Sequence, residues 1–182
     1  MSNIAYGAPG APCPNSMTAI EAPPVVERPH DGRSRRGGLD RSRLDHLLGF
    51  MTSLADATLR KAFVAQMGDL RLRPVEFSIL ALLAVNQRVT QKKLCLALDT
   101  PAPNLVVVLT RLQERGLLRR IRSEEDRREQ HVELTDEGRQ LADLAHARSL
   151  AMEAEALSVL TAGEQLLLFE LLRKIATGGR PA

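Results

Sequence analysis

From Ser42 onward, apolar residues recur every three or four positions. Leu44, Leu47, Leu48, Met51, Leu54, Ala55, Leu59, Ala62 and Phe63 share one face of a 3.6-residue period. Ser42 and Asp45 have the spacing of a capping box, so a long first helix is predicted from Ser42 to about Gly68. Pro74 suits the first turn of a second helix. Val75, Ile79, Leu80, Leu82 and Leu83 make that helix apolar enough to be central. Thr90 can cap a short third helix carrying Leu94 and Leu98. Thr100 caps a fourth, with Pro101 at its first position. Leu105, Val108, Leu109 and Leu112 point inward from it, and Gly116 closes it.

After Gly116 the period changes. Leu117–Arg122 and Gln130–Leu134 are short runs that alternate as strands do, with Val132 and Leu134 on one side and His131 and Glu133 on the other. Between them lies the charged stretch from Ser123 to Glu129. Ser123 and Asp126 also have capping-box spacing, but no apolar period follows, so this stretch reads as a hairpin tip. Thr135 then caps a helix with Asp136 and Glu137 in its first turn, where the helix dipole favours negative charge. Leu141, Leu144, Ala145 and Met152 give it an apolar stripe. Thr161 and Glu164 form a second capping box. The final helix, with Leu166, Leu167, Leu168, Phe169, Leu171, Leu172 and Ile175, is apolar on more than one face. One small domain offers too little cover for such a helix, and a second copy of the chain is the natural supplier.

Residues 1–38 have no such period. Pro9, Pro12, Pro14, Pro23, Pro24 and Pro29 stand among Gly, Ala and Ser, and the segment predicts a disordered tail ending in the basic residues Arg33, Arg35 and Arg36. A chain of 182 residues is long enough for one domain with a core of its own. With four Phe, one Tyr and no Trp, that core is built from Leu, Val, Ile, Met and Ala, a palette that favours helices. The domain is expected over 39–182.

The formal net charge of +3 permits a polyanionic partner without requiring one. The two cysteines, Cys13 and Cys95, make neither a disulfide framework nor a zinc spacing. The four histidines, His30, His46, His131 and His146, are scattered. No nucleophile–base order, metal-spaced cluster or phosphate-cradling glycine loop stands out, so no enzyme, cofactor or metal is expected. No apolar run reaches the roughly 18 residues that would span a bilayer, and the N-terminus does not read as a secretory signal. The expected location is the cytoplasm, away from membranes.

The order of elements is therefore helix, helix, short helix, helix, hairpin, long helix, helix. The pair Thr90–Leu98 and Thr100–Arg115 makes a helix-turn-helix, whose second helix enters a major groove. The hairpin after it has the place of a wing.

Four segments carry a resemblance to the MarR family of regulators: RLRPVEFSILALL from Arg71, LTRLQERGLLRR from Leu109, EEDRREQHVELTDEG from Glu124, and LTAGEQ from Leu160. The third is the most specific, with an Asp-Arg-Arg tip, a Val-x-Leu-Thr strand and a glycine three residues after the threonine. The resemblance covers roughly residues 42 to 177. It implies a mostly α, winged helix-turn-helix fold with a three-helix core and a β-hairpin wing. It places dimerisation helices at about 42–68 and 136–177 and a DNA-binding lobe at about 72–135.

Carried over residue by residue, the resemblance makes Asp126 the brace of the wing and Arg127 or Arg128 its minor-groove probe, reading shape. The recognition helix departs from the family's usual polar pattern, since its early exposed positions are Ala102, Pro103, Asn104, Val106 and Val107. Asn104 suits an adenine edge or a phosphate, while Ala102, Pro103 and Val107 suit thymine methyls. Gln91, Lys92, Lys93 and Arg111 suit backbone phosphates. The implied partners are a palindromic double-stranded DNA operator, a second copy of the chain and a small effector, often an aromatic acid or thioester in this family. His46, Arg60, Arg71 and Arg73 are the candidate effector residues. The implied function is a ligand-released repressor. The alternatives are a DNA-binding activator and a winged helix that only docks protein. The arginines at 111, 115, 119, 120, 122, 127 and 128 favour DNA. Redox sensing is not expected, because neither cysteine lies near the start of the first helix, where some relatives sense oxidants.

Overall fold

The structure, a computed structural model, describes residues 35–36, 38–122 and 130–178. It forms two compact units, divided between Leu48 and Gly49. The expected disorder of the tail falls, for residues 1–34 and 37, outside the described residues. Within the first unit, β1 (Arg35–Arg36) pairs antiparallel with β2 (Leu39–Asp40), and Gly38 sits between them at φ 78°, which glycine adopts without steric cost. The sequence pattern does not anticipate this small hairpin.

The first helix also differs from expectation. The segment Ser42–His46 is turn, and α1 (Leu48–Met67) begins only at Leu48. The expected capping box does not form there. The Ser42 amide donates to the Asp40 carboxylate at 2.9 Å, and Asp45 lies 3.5 Å from Arg41. Local side-chain partners of this kind compete with helix initiation.

The second unit continues through α2 (Pro74–Val85), β3 (Val89–Thr90), α3 (Gln91–Leu98), α4 (Ala102–Glu114), β4 (Leu118–Arg122), β5 (Gln130–Leu134), α5 (Asp136–Ala156) and α6 (Ala162–Ala176). The three strands form an antiparallel sheet in the order β3-β5-β4. Leu118 faces Leu134 and Arg122 faces Gln130 across the β4–β5 hairpin. β3, which pairs Val89 with Val132, is too short to leave a period in the sequence.

Helix α2 is the centre of the unit and packs against α3, α4, α5 and β5. Its Ile79, Leu80 and Leu83 join Leu94, Leu105, Leu109, Leu112, Val132 and Leu134 in one core, closed at the end of α1 by Phe63 and Met67. The Phe63 and Phe77 rings meet at 6.0 Å and 60°, a tilted arrangement suited to their quadrupoles. Small residues on α5, Ala142 and Ala145, are buried in the same cluster.

The Thr-x-x-Gly at the start of α5 has a mechanical reason. The Thr135 hydroxyl accepts the Gly138 amide at 3.0 Å and donates to the Gly116 carbonyl at 2.6 Å. A Cβ on Gly138 would clash with the Leu117 carbonyl oxygen. The glycine therefore lets the first turn of α5 press directly on the chain entering the hairpin. Gly116 itself, at φ 70°, ends α4 as expected. Among the described residues, no single helix is long and apolar enough to cross a membrane.

Candidate nucleic-acid interface

Two caps set the helix-turn-helix. The Thr90 hydroxyl accepts the Lys93 amide at 3.3 Å and starts α3. Asp99 ends α3 in the left-handed region, φ 46°, which reverses the chain within a few residues. The expected cap of α4 shifts by one position. Pro101 is the N-cap, and the Thr100 hydroxyl instead donates back to the Leu98 carbonyl at 3.0 Å. A proline fits here because the first amides of a helix lack intrahelical partners and its φ is already near helical.

The N-terminal half of α4 is sorted by burial. Leu105 and Leu109 are buried, while Ala102, Pro103 and Asn104 are exposed. Val107 is 59% exposed and Val106 38% exposed. The apolar outward face anticipated for this helix is thus real, and these valines do not belong to the core. On α3, Lys92 and Lys93 are exposed and Gln91 is half-buried. Lys93 reaches the Arg88 carbonyl at 3.4 Å. Arg119, Arg120 and Arg122 are exposed along β4, with Arg119 3.6 Å from Glu133 across the hairpin. The wing residues Asp126, Arg127 and Arg128 lie outside the described residues.

Arg111, expected at a backbone phosphate, has a partner within the protein. It sits on the C-terminal half of α4, and its guanidinium donates to the Glu76 carboxylate at 3.1 Å. Glu76 is only 1% exposed. Its other carboxylate oxygen accepts the Arg73 amide at 2.9 Å and lies 4.0 Å from Arg115. Arg115 in turn donates to the Arg71 and Leu70 carbonyls at 2.8 and 3.1 Å. Arg148 of α5 grips the end of α1 through the Gln66 carbonyl at 3.0 Å and Asp69 at 2.6 Å. That hydrogen bond from Arg148 holds the Asp69 carboxyl below its ordinary pKa. So the turn between α1 and α2 is held by arginines from two other helices.

The sequence grouped Arg111 and Arg115 with the hairpin arginines; the fold separates them. It also missed Glu76 as a structural residue. A signal existed: positions 76, 79, 80 and 83 share one helical face, so Glu76 interrupts an otherwise apolar stripe. Of the effector candidates, Arg71 and Arg73 come together with Arg111 and Arg115 around one cleft. Arg60 is 2.6 Å from Asp56, on α1. His46 lies in the first unit.

A family model described as MarR family matches residues 72–129, which run from before α2 to beyond β4. The structure is similar to that of the transcriptional repressor CouR bound to a 23-mer DNA duplex, with 31% identity, a TM-score of 0.72, and coverage of 76% of this chain and 98% of that one. The chain belongs to the MarR family of transcriptional regulators. As a MarR-family protein it is a winged-helix, DNA-binding transcriptional regulator and not an enzyme. A probable transcriptional regulator from Pseudomonas aeruginosa is also similar, at 28% identity and a TM-score of 0.68, covering 73% of this chain and 99% of that one. The organic hydroperoxide resistance transcriptional regulator of Bacillus subtilis (strain 168) is 28% identical over 106 residues, or 58% of this chain and 72% of that protein. In this MarR-family chain, α1 contains no cysteine, and Cys95 is half-buried on α3. Cys13 lies outside the described residues.

Proposed function

We propose that this regulator is a repressor that binds a palindromic operator as a homodimer and is released by a small, anionic effector. The observation that carries the reading is the outward face of α4. Ala102, Pro103, Asn104 and Val107 are exposed on the N-terminal half of α4, the second helix of the helix-turn-helix, and Lys92 and Lys93 are exposed on α3, the helix before it. Such a face is suited to base edges and thymine methyls, with lysines for phosphates. The likeness to a repressor whose structure holds a DNA duplex supports the same role.

Homodimerisation is supported by α6. Leu166, Leu167, Phe169, Leu171, Leu172 and Ile175 are all exposed, and α6 buries none of its residues within its own chain. Two copies placing the helices of about 42–68 and 136–177 together would cover them. The two lobes of about 72–135 would then address half-sites one helical turn apart. In this reading Asp126 braces the wing, Arg127 or Arg128 enters the minor groove, and Arg71 and Arg73 serve the effector. Arg60, which pairs with Asp56, and His46 complete the set of effector candidates. A soluble protein of this kind acts in the cytoplasm, where its DNA is.

The test is binding to a duplex selected from random DNA, across a salt series, for the wild type and an Arg127→Ala/Arg128→Ala double variant. A discrete two-fold site is expected. The double variant should bind more weakly, with a salt slope shallower by about one unit per lost phosphate-like contact. Enrichment of no sequence, or equal binding at every salt concentration, overturns the reading.

A further inference from the structure

Beside the turn between α1 and α2 lies a cleft of about 470 Å3 lined by Arg71, Leu72, Arg73, Glu76, Arg111 and Arg115. Four arginines and one glutamate line it, a local excess of three positive charges. The single carboxylate is committed, to Arg111 at 3.1 Å and to the Arg73 amide at 2.9 Å. The nearest acid along the chain, Asp69, is taken by Arg148. Arg71 and Arg73 are exposed, and their guanidinium groups have no hydrogen bond or ion pair among the described residues.

The backbone adds a second observation. Arg71 sits in the left-handed region at φ 52°, and Arg115 holds its carbonyl there at 2.8 Å. A glycine or asparagine would occupy that conformation with less strain. Instead a guanidinium with no partner among the described residues is carried to the rim of a cleft that is already positive.

We propose that this cleft binds the phosphate or pyrophosphate group of a small molecule. A monocarboxylate would neutralise one of three excess charges, whereas a phosphate group carries up to two and a pyrophosphate more. Such groups also match the planar forks of several arginines at once. Arg111 remains 37% exposed beyond its bond to Glu76, so it can accept an anion without leaving that carboxylate. The cleft lies at the opposite end of α4 from Ala102–Asn104. At 1.5 Å per residue, Ala102 and Arg111 are about 14 Å apart along the helix. A molecule held there touches the α1–α2 turn and the last turns of the recognition helix together. The inference deepens the effector part of the function proposed above and rests on it only for its regulatory meaning.

The experiment is calorimetric titration of the full chain with inorganic pyrophosphate at fixed ionic strength. The proteins are the wild type, Arg71→Ala/Arg73→Ala, Arg71→Lys/Arg73→Lys, and Lys92→Ala/Lys93→Ala, which removes the same charge from α3. One saturable site per chain is expected in the wild type. Its affinity should fall by about tenfold or more in the arginine-to-alanine variant and by less in the lysine variant. It should change little in the α3 variant. Should the alanine pair fail to fold, Arg71→Gln and Arg73→Gln singly give the same reading, each with a smaller loss.

The proposal falls if the wild type shows no saturable binding, if Arg71→Ala/Arg73→Ala binds as tightly, or if only the α3 variant loses affinity. It also falls if Arg71→Ala/Arg73→Ala weakens operator binding with a shallower salt slope, because the cleft then serves the DNA backbone. If the wild type selects no operator, the repressor reading fails while the pyrophosphate titration still decides the cleft.

Discussion

Glu76 is the residue whose removal has the widest reach. Its carboxylate is buried, ties the first turn of α2, and anchors Arg111 of the recognition helix. Replacing Arg111 by alanine leaves a buried carboxylate short of its closest charged partner. The expected loss is about 1–3 kcal/mol in urea unfolding, the range for removing a charged hydrogen-bond donor, because the carboxylate keeps the Arg73 amide and Arg115. Gly138→Ala acts by a different route. Its Cβ would meet the Leu117 carbonyl carbon at 2.8 Å as well as its oxygen, and both are backbone. A loss of about 2–3 kcal/mol is expected, read as a lowered unfolding midpoint. Asp69 has a pH signature. Its folded pKa is lowered, first by the Arg148 hydrogen bond, so its contribution is complete above the ordinary carboxylate range and fades as the pH falls through the lowered value. Asp69→Asn should therefore be less stable than the wild type at neutral pH. The two should converge on acidification, which parallel urea titrations at several pH values measure.

Elements show how far local chemistry reaches. Thr90, Thr135 and Thr161 each cap the helix expected of them. In the last case Glu164 also accepts the Thr161 amide at 2.8 Å, which holds its carboxyl below the ordinary pKa. These motifs are contained in a few consecutive residues, so nothing distant overrides them. The first helix and the fourth are different. Ser42 and Thr100 have the right residue types, but Asp40 takes the Ser42 amide and Leu98 takes the Thr100 hydroxyl. A capping pattern is a competition, and the competitor is visible only when the preceding turn is built. The tip of the hairpin was the most specific motif in the sequence. The strands on either side of it pair antiparallel, with Leu118 opposite Leu134 and Arg120 opposite Val132, and β5 keeps the expected alternation, Val132 and Leu134 being buried.

At the scale of the whole molecule, α6 is the element that its own chain leaves uncovered. A helix that buries none of its residues yet carries six exposed large apolar side chains is stable only with cover. Leu172→Glu/Ile175→Glu places charges on that face without touching the core of its own chain. Sedimentation equilibrium should show a dimer for the wild type and a monomer for the double variant. The unfolding midpoint should rise with protein concentration only for the wild type. A wild type that is monomeric at all concentrations overturns the dimer.

The helical period, the caps and the hairpin alternation were local properties, and the sequence by itself determined them. With the wing motif they were enough for the family and for the exposed face of α4, because the inward leucines at 105, 109 and 112 leave the residues between them outside. The tertiary structure alone decided the partners of the arginines. Arg111, Arg115 and Arg148 are long, flexible cations whose positions along the chain say nothing of which carbonyl or carboxylate they meet. Their contacts span 35 to 82 residues. Only the packing of α2 against α4 brings Glu76 under Arg111 and leaves the guanidinium groups of Arg71 and Arg73 at the edge of the same cleft without a partner among the described residues. Charge patterning counts arginines; a buried carboxylate and the helices around it determine which remain available to bind.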